Sequence, residues 1–333
     1  MGRLFRLYGF TIACGVFLVL GTSPRALLAQ WPQPENSQAS SVRAGHSIFD
    51  PPDGFTDGDA PPRRRNRSMI QLMQHETGDD GYWLQFAPTS LLYKSYLAGE
   101  KESRIAANWL VDKDRGLIFE TALGGRVGLV RYGNSDPLNP EGWQLDLEGA
   151  ALPRVDPKLE SDPLEAVDFR VGFLSTWRSG PTAVKAGYYH LSSHAGDEFL
   201  INNPTFHRIN YVRDSAIIGI SQDLTPDVTA YGEFAYAFGA EAGAEPIELQ
   251  YGLQYTPKVT GWPGSPFVAV NGHTREDFGW ITSINMQAGW LFRSRSTNRT
   301  FRLGMQYYDG PSMQWEFVNR HESLFGGGIW FDY

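Results

Sequence analysis

Apolar and polar residues alternate with period two over long stretches of the chain after about residue 103. Successive side chains of a β-strand point to opposite faces, so each stretch predicts a strand with one apolar and one polar face. The pattern is clearest in 117–129, 247–256 and 278–292. Strands in soluble sandwiches usually span about five or six residues, whereas these stretches are long enough to cross a membrane at a tilt. A transmembrane β-barrel is therefore the favoured fold.

Aromatic residues support this fold by their number and by their positions. The chain contains 10 Trp, 15 Tyr and 20 Phe, together with 36 Gly. Aromatic side chains suit pleated surfaces, and Gly suits places where strands bend or crowd. Phe278 with Trp280, and Trp290 with Phe292, lie near the two ends of one apolar face. These are the positions of the aromatic girdles of a membrane barrel.

The alternation predicts twelve strands, and hence an all-β, antiparallel, up-and-down transmembrane barrel. They are placed at 103–111, 116–131, 142–152, 166–177, 182–193, 208–222, 228–240, 247–256, 265–273, 278–292, 299–309 and 323–333. An even number returns both chain ends to the same side, which is the periplasm for an exported bacterial barrel. The connection 132–141 is long for a periplasmic turn, so a count that differs by one hairpin stays open.

The N-terminal part of the chain is predicted to lie outside the barrel domain. Arg3 and Arg6 precede an apolar stretch, and a cleavage site after Ala29 completes the pattern of a signal peptide over the first 29 residues. Residues 30–81 are rich in Pro and Arg and lack apolar periodicity, which predicts a disordered linker. The barrel domain, with an extended lead-in, then occupies 82–333.

Composition excludes several other classes of protein. A net charge of -8 and a pI near 5.4 argue against a nucleic-acid partner held by phosphate neutralisation. The single cysteine, Cys14, forbids an internal disulfide framework and a cysteine-ligated zinc site. After the N-terminus no run of 18 apolar residues occurs, and the mean hydropathy of -0.34 is too polar for a bundle of membrane helices.

The last predicted strand indicates where the barrel is assembled. Phe325, Ile329, Phe331 and Tyr333 lie on one face of that strand, which ends at an aromatic residue. This end resembles the C-terminal signal by which outer-membrane barrels are recognised during assembly. The predicted partners are therefore the barrel-assembly machinery and outer-membrane lipids, and the predicted location is the outer membrane. A soluble periplasmic or secreted β-protein is the alternative.

Four phrases of the sequence carry a family resemblance. They are 92–99 (LYKSYLAG), 142–150 (GWQLDLEGA), 190–198 (HLSSHAGDE) and 208–214 (RINYVRD). They resemble a bacterial cell-envelope family catalogued as domain of unknown function number twelve hundred and seven, and the likeness covers about residues 82–333. The resemblance implies an envelope protein and brings no established activity with it.

A His-x-Ser pair is the feature of the sequence that most suggests catalysis. His190 and Ser192 lie two residues apart on one predicted strand, so the imidazole can reach the hydroxyl and act as its general base. The arrangement resembles outer-membrane phospholipases and lipid A deacylases, which carry His-x-Ser on a barrel strand. Pairing this strand with the next one across the 194–207 loop places Asn210 opposite Ser192 and Asp214 opposite Tyr188 on the same face, so either could orient His190. The enzymes of this type place that partner about twelve residues after the Ser, where this chain has Pro204.

Other roles remain open for the same region. Ser193, His194, Asp197, Glu198 and Arg213 are predicted to form a ligand-binding or hydrogen-bonded cluster that fixes the long outer loop. Of these, Asp197 and Glu198 are candidate calcium ligands, and no other cofactor is predicted. A lumen lined by charges of both signs also allows a narrow channel. The sequence thus predicts an outer-membrane barrel with a structural, narrow-channel or ligand-binding role. The alternative is an envelope lipid acyl-ester hydrolase.

Overall fold

The computed structural model describes residues 81–257 and 263–333, which form thirteen β-strands and little helix. The strands are β1 Trp83–Phe86, β2 Ile105–Asp112, β3 Gly116–Gly133, β4 Gly142–Val155, β5 Leu164–Ser179, β6 Thr182–Ala195, β7 Val212–Asp223, β8 Val228–Glu241, β9 Ile247–Tyr255, β10 Ser265–Arg275, β11 Thr282–Arg293, β12 Thr300–Pro311 and β13 His321–Asp332. One short helix, α1, spans Asp197–Asn202, and single 3-10 turns occur at Glu276–Phe278 and Trp315–Phe317. None of the described helices has the length and apolar character needed to cross a membrane. The predicted signal peptide and almost all of the predicted linker lie outside the described residues.

Strands β2 to β13 close into a twelve-stranded antiparallel barrel. Each pairs with its neighbour along the chain, and β13 closes the ring on β2 with Phe325 opposite Val111. The predicted fold and strand number are confirmed, and the 134–141 connection joins β3 to β4 without adding a hairpin. We call the end at which β13 finishes at Asp332 the terminal end, and the opposite end the loop end. The longest connection between consecutive strands of the ring β2 to β13, residues 196–211, lies at the loop end.

Two strands begin four residues later than the alternation predicts, and the backbone explains both differences. The tenth predicted strand, at 278, begins at Thr282, because a 3-10 turn ends at Phe278 and Trp280 adopts a left-handed φ of 67°. The sixth, at 208, begins at Val212, because Asn210 has a φ of 56°. A left-handed backbone at a residue other than glycine departs from the extended conformation that a β-ladder needs.

The first barrel strand is split into two pieces. Both β1 and β2 pair with the same edge of β3, where β1 covers 130–133 and β2 covers 116–123. Two backbone hydrogen bonds mark where the chain leaves this edge and where it rejoins it. Ala87 N–H donates to the Leu129 carbonyl at 3.0 Å, and Gly124 N–H donates to the Arg104 carbonyl at 2.9 Å. Only four residues of the predicted lead-in are therefore strand. The chain between the two pieces turns into the barrel.

This luminal segment, residues 88–104, fills much of the interior. Leu92, Tyr93 and Ala98 have no exposed surface. Wall side chains satisfy its backbone, which has no strand partner: Asn285 Nδ2 donates to the Ala98 carbonyl at 2.8 Å, and Arg302 Nη2 donates to the Leu97 carbonyl at 3.2 Å. Buried carbonyls must find donors, so these polar wall residues hold the segment in place.

A second piece of chain covers the lumen at the loop end. Residues 312–317, in the connection from β12 to β13, are all buried. Gln314 Nε2 donates to the Leu152 carbonyl at 3.0 Å, and the Met313 carbonyl accepts from Lys101 of the luminal segment. We call residues 312–317 the loop-end cap. The cap and the luminal segment are in direct contact.

Charged residues on the inner wall form ion pairs with one another, mostly between neighbouring strands. The mixed signs that the sequence places inside the barrel are paired as follows: Arg154 with Glu120 and Glu322, Lys185 with Glu233, Arg170 with Glu148, Arg302 with Asp332, and His273 with Glu248. Removing one partner of such a pair leaves an uncompensated charge out of water, which costs about 3–5 kcal/mol. The interior is thus closed by chain and by paired charge.

The outer wall presents the apolar face of each strand. Large apolar side chains that are more than a third exposed occur around the barrel, among them Leu123, Phe173, Ile218, Leu253, Leu303, Met305 and Phe325. An apolar surface this extensive is unusual on a soluble monomer and is typical of a wall that faces lipid. Together with the closed ring, it makes the protein an outer-membrane-type β-barrel.

Candidate functional site

Strand β6 divides the predicted site residues between its two faces. His190, Ser192 and His194 alternate with Tyr189 and Leu191, which are buried in the interior. His190 and Ser192 therefore lie on the outer wall, on the half of β6 nearer the loop end. The period-two geometry of the strand produces this arrangement directly.

Asp214 on β7 lies directly opposite His190. His190 Nδ1 is 2.9 Å from Asp214 Oδ1, and both side chains are about a third exposed, at 30% and 33%. Tyr188, also on the outer face of β6, donates its hydroxyl to the same carboxylate oxygen at 2.6 Å. The carboxylate thus holds the imidazole through Nδ1 and leaves Nε2 available.

The register between β6 and β7 differs by two residues from the predicted one. Asp214 lies opposite His190 instead of Tyr188, and Val212 instead of Asn210 lies opposite Ser192. Asn210 precedes β7, and its Oδ1 accepts a hydrogen bond from Arg208 at 3.2 Å. The left-handed backbone of Asn210 keeps it out of the ladder, so the structure brings Asp214, and not Asn210, opposite His190.

A glycine on β8 leaves room for the Asp214 carboxylate. Gly239 is paired with Asp214, and a Cβ at that position would lie 3.1 Å from Asp214 Oδ2. The register of β7 against β8 shifts immediately after Asp214, which marks a β-bulge. Bulges re-aim side chains and are common beside functional sites.

Ser192 shares the outer face with His190. Two residues along a strand separate Cα atoms by about 7 Å, a distance that side chains can bridge. Within the described part of the chain, no hydrogen bond joins Ser192 to His190. Hydrogen bonds between a nucleophile and its base are often long without substrate and tighten when substrate binds. The three residue types can perform acyl transfer: a hydroxyl nucleophile, an imidazole base and a carboxylate that orients the base.

The predicted loop cluster does not assemble. Ser193 points inward and donates to Asp168, and Arg213 also points inward, where Nη1 donates to the Glu245 carbonyl at 2.8 Å. His194 lies on the outer face, with Nδ1 2.9 Å from Arg208 Nη2. The alternation of the strands separates these neighbours in sequence onto opposite faces.

Asp197 and Glu198 are exposed in the first turn of α1. A calcium ion takes six to eight oxygen ligands, commonly from several carboxylates. Across 81–257 and 263–333, no group of three or more His, Cys, Asp or Glu side chains converges. The two adjacent carboxylates therefore do not by themselves fit a calcium site.

Two residues of the site were not predicted from the sequence. Tyr188 donates a second hydrogen bond to the Asp214 carboxylate, and Gly239 provides the space that the carboxylate occupies. Tyr188 could have been found, because it lies two residues before His190 on the same strand face. Gly239 could not, because its role depends on the bulge and on the pairing of β7 with β8.

Solved structures that are similar to this chain include outer-membrane phospholipases. Outer membrane phospholipase A from Escherichia coli is 12% identical, with a TM-score of 0.47, over 74% of this chain and 96% of that one. An active-site mutant of that enzyme at pH 6.1 is 13% identical, with a TM-score of 0.47, over 79% and 96%. The Salmonella typhi outer membrane phospholipase dimer with bound calcium is 12% identical, with a TM-score of 0.46, over 74% and 96%. Similarity of this degree does not extend the activity or the ligand of those proteins to this chain.

Sequence comparison identifies a family without a known activity. No curated protein matches the chain. A family model described as "Protein of unknown function (DUF1207)" matches residues 88–333, which include the luminal segment and all twelve barrel strands. The chain belongs to this family, domain of unknown function 1207.

Proposed function

We propose that this protein resides in the outer membrane and acts at its lipid-facing wall instead of through its lumen. The apolar outer surface supports contact with outer-membrane lipids, and the luminal segment and the loop-end cap oppose diffusion through the barrel. The terminal end then faces the periplasm and the loop end faces outward. The aromatic C-terminal strand, ending at Tyr333, is the segment that the barrel-assembly machinery would recognise.

The chemistry that we assign to this wall is hydrolysis of a lipid acyl ester. One observation carries the assignment: an oriented imidazole, His190 held by Asp214 at 2.9 Å, lies beside Ser192 on the apolar outer face. Acyl chains of the membrane surround that face. Both the nucleophile and its base are therefore located where ester lipids lie, and no passage through the interior is needed.

The proposed reaction divides into two steps. Ser192 Oγ attacks the ester carbonyl, and its proton passes to His190 Nε2. The acyl-serine bond forms as the ester bond breaks, and the alkoxide of the lipid leaves with the proton from His190. His190 then deprotonates a water molecule, which attacks the acyl-serine. This second step releases the fatty acid and restores the free serine. Asp214 holds the imidazole and stabilises its positive charge, with Tyr188 as a second hydrogen-bond partner.

The test is fatty-acid release by the refolded protein in mixed micelles of detergent and diacyl phospholipid. The wild type is compared with Ser192→Ala and His190→Ala, and with Ser175→Ala and His321→Ala as matched controls. Ser175 lies on the outer face of β5, and His321 is an exposed residue at the loop end. Release that only the first two variants abolish supports the hydrolase. Absence of release from a correctly folded wild type leaves a structural barrel as the function.

Calcium forms a separate arm of the same assay. The exposed pair Asp197 and Glu198 is the only part of the predicted calcium site that the sequence supplies. Assays with added calcium or with chelator are compared for the wild type and for a double variant, Asp197→Asn with Glu198→Gln. Calcium-dependent release that the double variant retains would locate any calcium at other groups.

A further inference from the structure

A cleft at the loop end, lined by both charged and apolar side chains, is separate from the wall site. Its volume is about 300 Å³. It is lined by side chains from the turn after β2, the loop from β4 to β5, the first residues of β5, α1 with the residue that follows it, and the loop before β13. The lining residues that matter here are Arg115, Lys158, Arg320, Asp156, Glu165 and Phe199.

The two carboxylates of the cleft are already paired. Both oxygens of Glu165 accept from Arg115 Nη2. Asp156 Oδ2 lies 3.3 Å from Lys158 Nζ, and Asp156 Oδ1 accepts from the Lys158 backbone N–H at 3.0 Å. With both acids paired, the three cations leave the cleft with one excess positive charge, which is that of Arg320.

Arg320 has no acceptor of its own in the described residues. Its guanidinium lies over the ring of Phe317, at 4.0 Å, and 5.6 Å from the ring centre of Phe199. No carboxylate or carbonyl accepts a hydrogen bond from its side chain within the described ranges. Burial lowers the pKa of Arg320, and the positive charge of Arg115 lowers it further. An arriving anion would relieve both effects.

Arg115 contributes a second unused donor. Its Nη1 atom is buried and makes no hydrogen bond to any of the residues that the structure describes. It lies 3.7 Å from Glu322 Oε1, beyond hydrogen-bond distance. A buried donor without an acceptor costs free energy unless a ligand or water supplies one.

We propose that this cleft binds a phosphate monoester group, held by the guanidinium groups of Arg320 and Arg115 with Lys158 at the rim. Guanidinium groups bind tetrahedral oxyanions through paired hydrogen bonds. The apolar ring of Phe199 and a volume well above that of phosphate alone accommodate the organic part of the ligand. The group could be carried by a soluble sugar phosphate outside the cell or by a lipid headgroup of the outer leaflet.

Calorimetric titration of the folded barrel in neutral detergent tests this site. Inorganic phosphate and glucose 6-phosphate are titrated beside glucose as the uncharged control. Arg320→Gln is expected to weaken phosphate binding about tenfold or more, since a hydrogen bond to a charged group is lost. Lys113→Gln removes one positive charge from an exposed position outside the cleft and is expected to leave binding unchanged.

The source of the phosphate is distinguished by a second arm. Micelles containing phosphatidic acid compete with glucose 6-phosphate if the cleft is open to lipid headgroups, and do not compete if it accepts only soluble ligands; either result supports a phosphate site. Absence of binding by every phosphate compound overturns the proposal, as does equal weakening by Lys113→Gln. Retention of the heat-modifiable fold by Arg320→Gln separates loss of binding from loss of structure.

Discussion

Asn285 on β11 donates a hydrogen bond of 2.8 Å to the carbonyl of Ala98, which lies inside the barrel. This bond joins the wall to the luminal segment inside the barrel. Ala98 has no exposed surface, so its carbonyl depends on this donor. The wall is built to hold a chain inside it.

Because the luminal segment and the cap close the interior, we expect the wild-type barrel to give no conductance steps in a planar lipid bilayer. Replacing residues 88–103 by about eight Gly and Ser residues, enough to span the gap in the first strand, should produce discrete steps. Single-channel recording checks this. Steps from the wild type at neutral pH would contradict a closed lumen and favour the narrow channel.

Arg154 pairs with two carboxylates of the interior, and its removal should be costly. Its Nη1 and Nη2 donate to Glu322 at 2.6 and 2.8 Å, and its Nε donates to Glu120. Arg154→Met removes the ion-pair partner of Glu120 and leaves Glu322 with only Arg115, at 3.7 Å, so we expect a loss of about 3–5 kcal/mol in the free energy of unfolding. Urea unfolding followed by tryptophan fluorescence measures it. Lys113→Met, at an exposed position, should change stability by less than about 0.5 kcal/mol.

Asp214→Asn should disable the proposed hydrolase while the fold is preserved. An amide can present the wrong hydrogen-bonding group to His190 Nδ1 and hold the unproductive tautomer, so we expect a fall of about 100-fold or more in fatty-acid release. Tyr188→Phe removes only the second partner of the carboxylate and should cost much less. If release occurs, equal activity of the Asp214→Asn variant and the wild type would remove Asp214 from the mechanism.

Glu316 gives the loop-end cap a pH dependence. Burial raises the pKa of Glu316, whose Oε1 accepts from the Ile209 backbone N–H at 2.9 Å. The folded cap therefore binds a proton more tightly than the open one. Its stability should be greatest below the ordinary carboxyl pKa and should decline as pH rises through the raised value.

Glu316→Gln keeps an acceptor for Ile209 and should abolish that decline. Hydrogen exchange of the Ile209 amide between about pH 4 and 8, corrected for intrinsic rates, measures opening of the cap. If the variant keeps the pH slope of the wild type, other groups of the loop end control the cap.

The sequence determines the strands much better than it determines their surroundings. Long alternation located all twelve strands, because each must present one apolar face to lipid and one polar face to the interior. It could not fix the register of β7 against β6, since the loop 196–211 is long enough to allow several registers. The luminal segment was also missed, because Leu92, Tyr93 and Tyr96 are buried without periodic spacing.

For the site, the sequence supplied the pair His190 and Ser192 and the candidate Asp214. The backbone of Asn210, with its positive φ, removed the other candidate. The cations of the loop-end cleft come from three distant parts of the chain, so no local pattern could bring Arg115 and Arg320 together. Such clusters depend on closure of the ring.

The split first strand has a consequence for biogenesis. Because β1 and β2 both pair with the same edge of β3, the segment between them is anchored on both sides by backbone ladders. This segment cannot leave the lumen unless one of the two ladders is broken first. Insertion of the luminal segment and pairing of β13 with β2 are therefore coupled during assembly. A barrel that closed before the insertion would exclude the luminal segment.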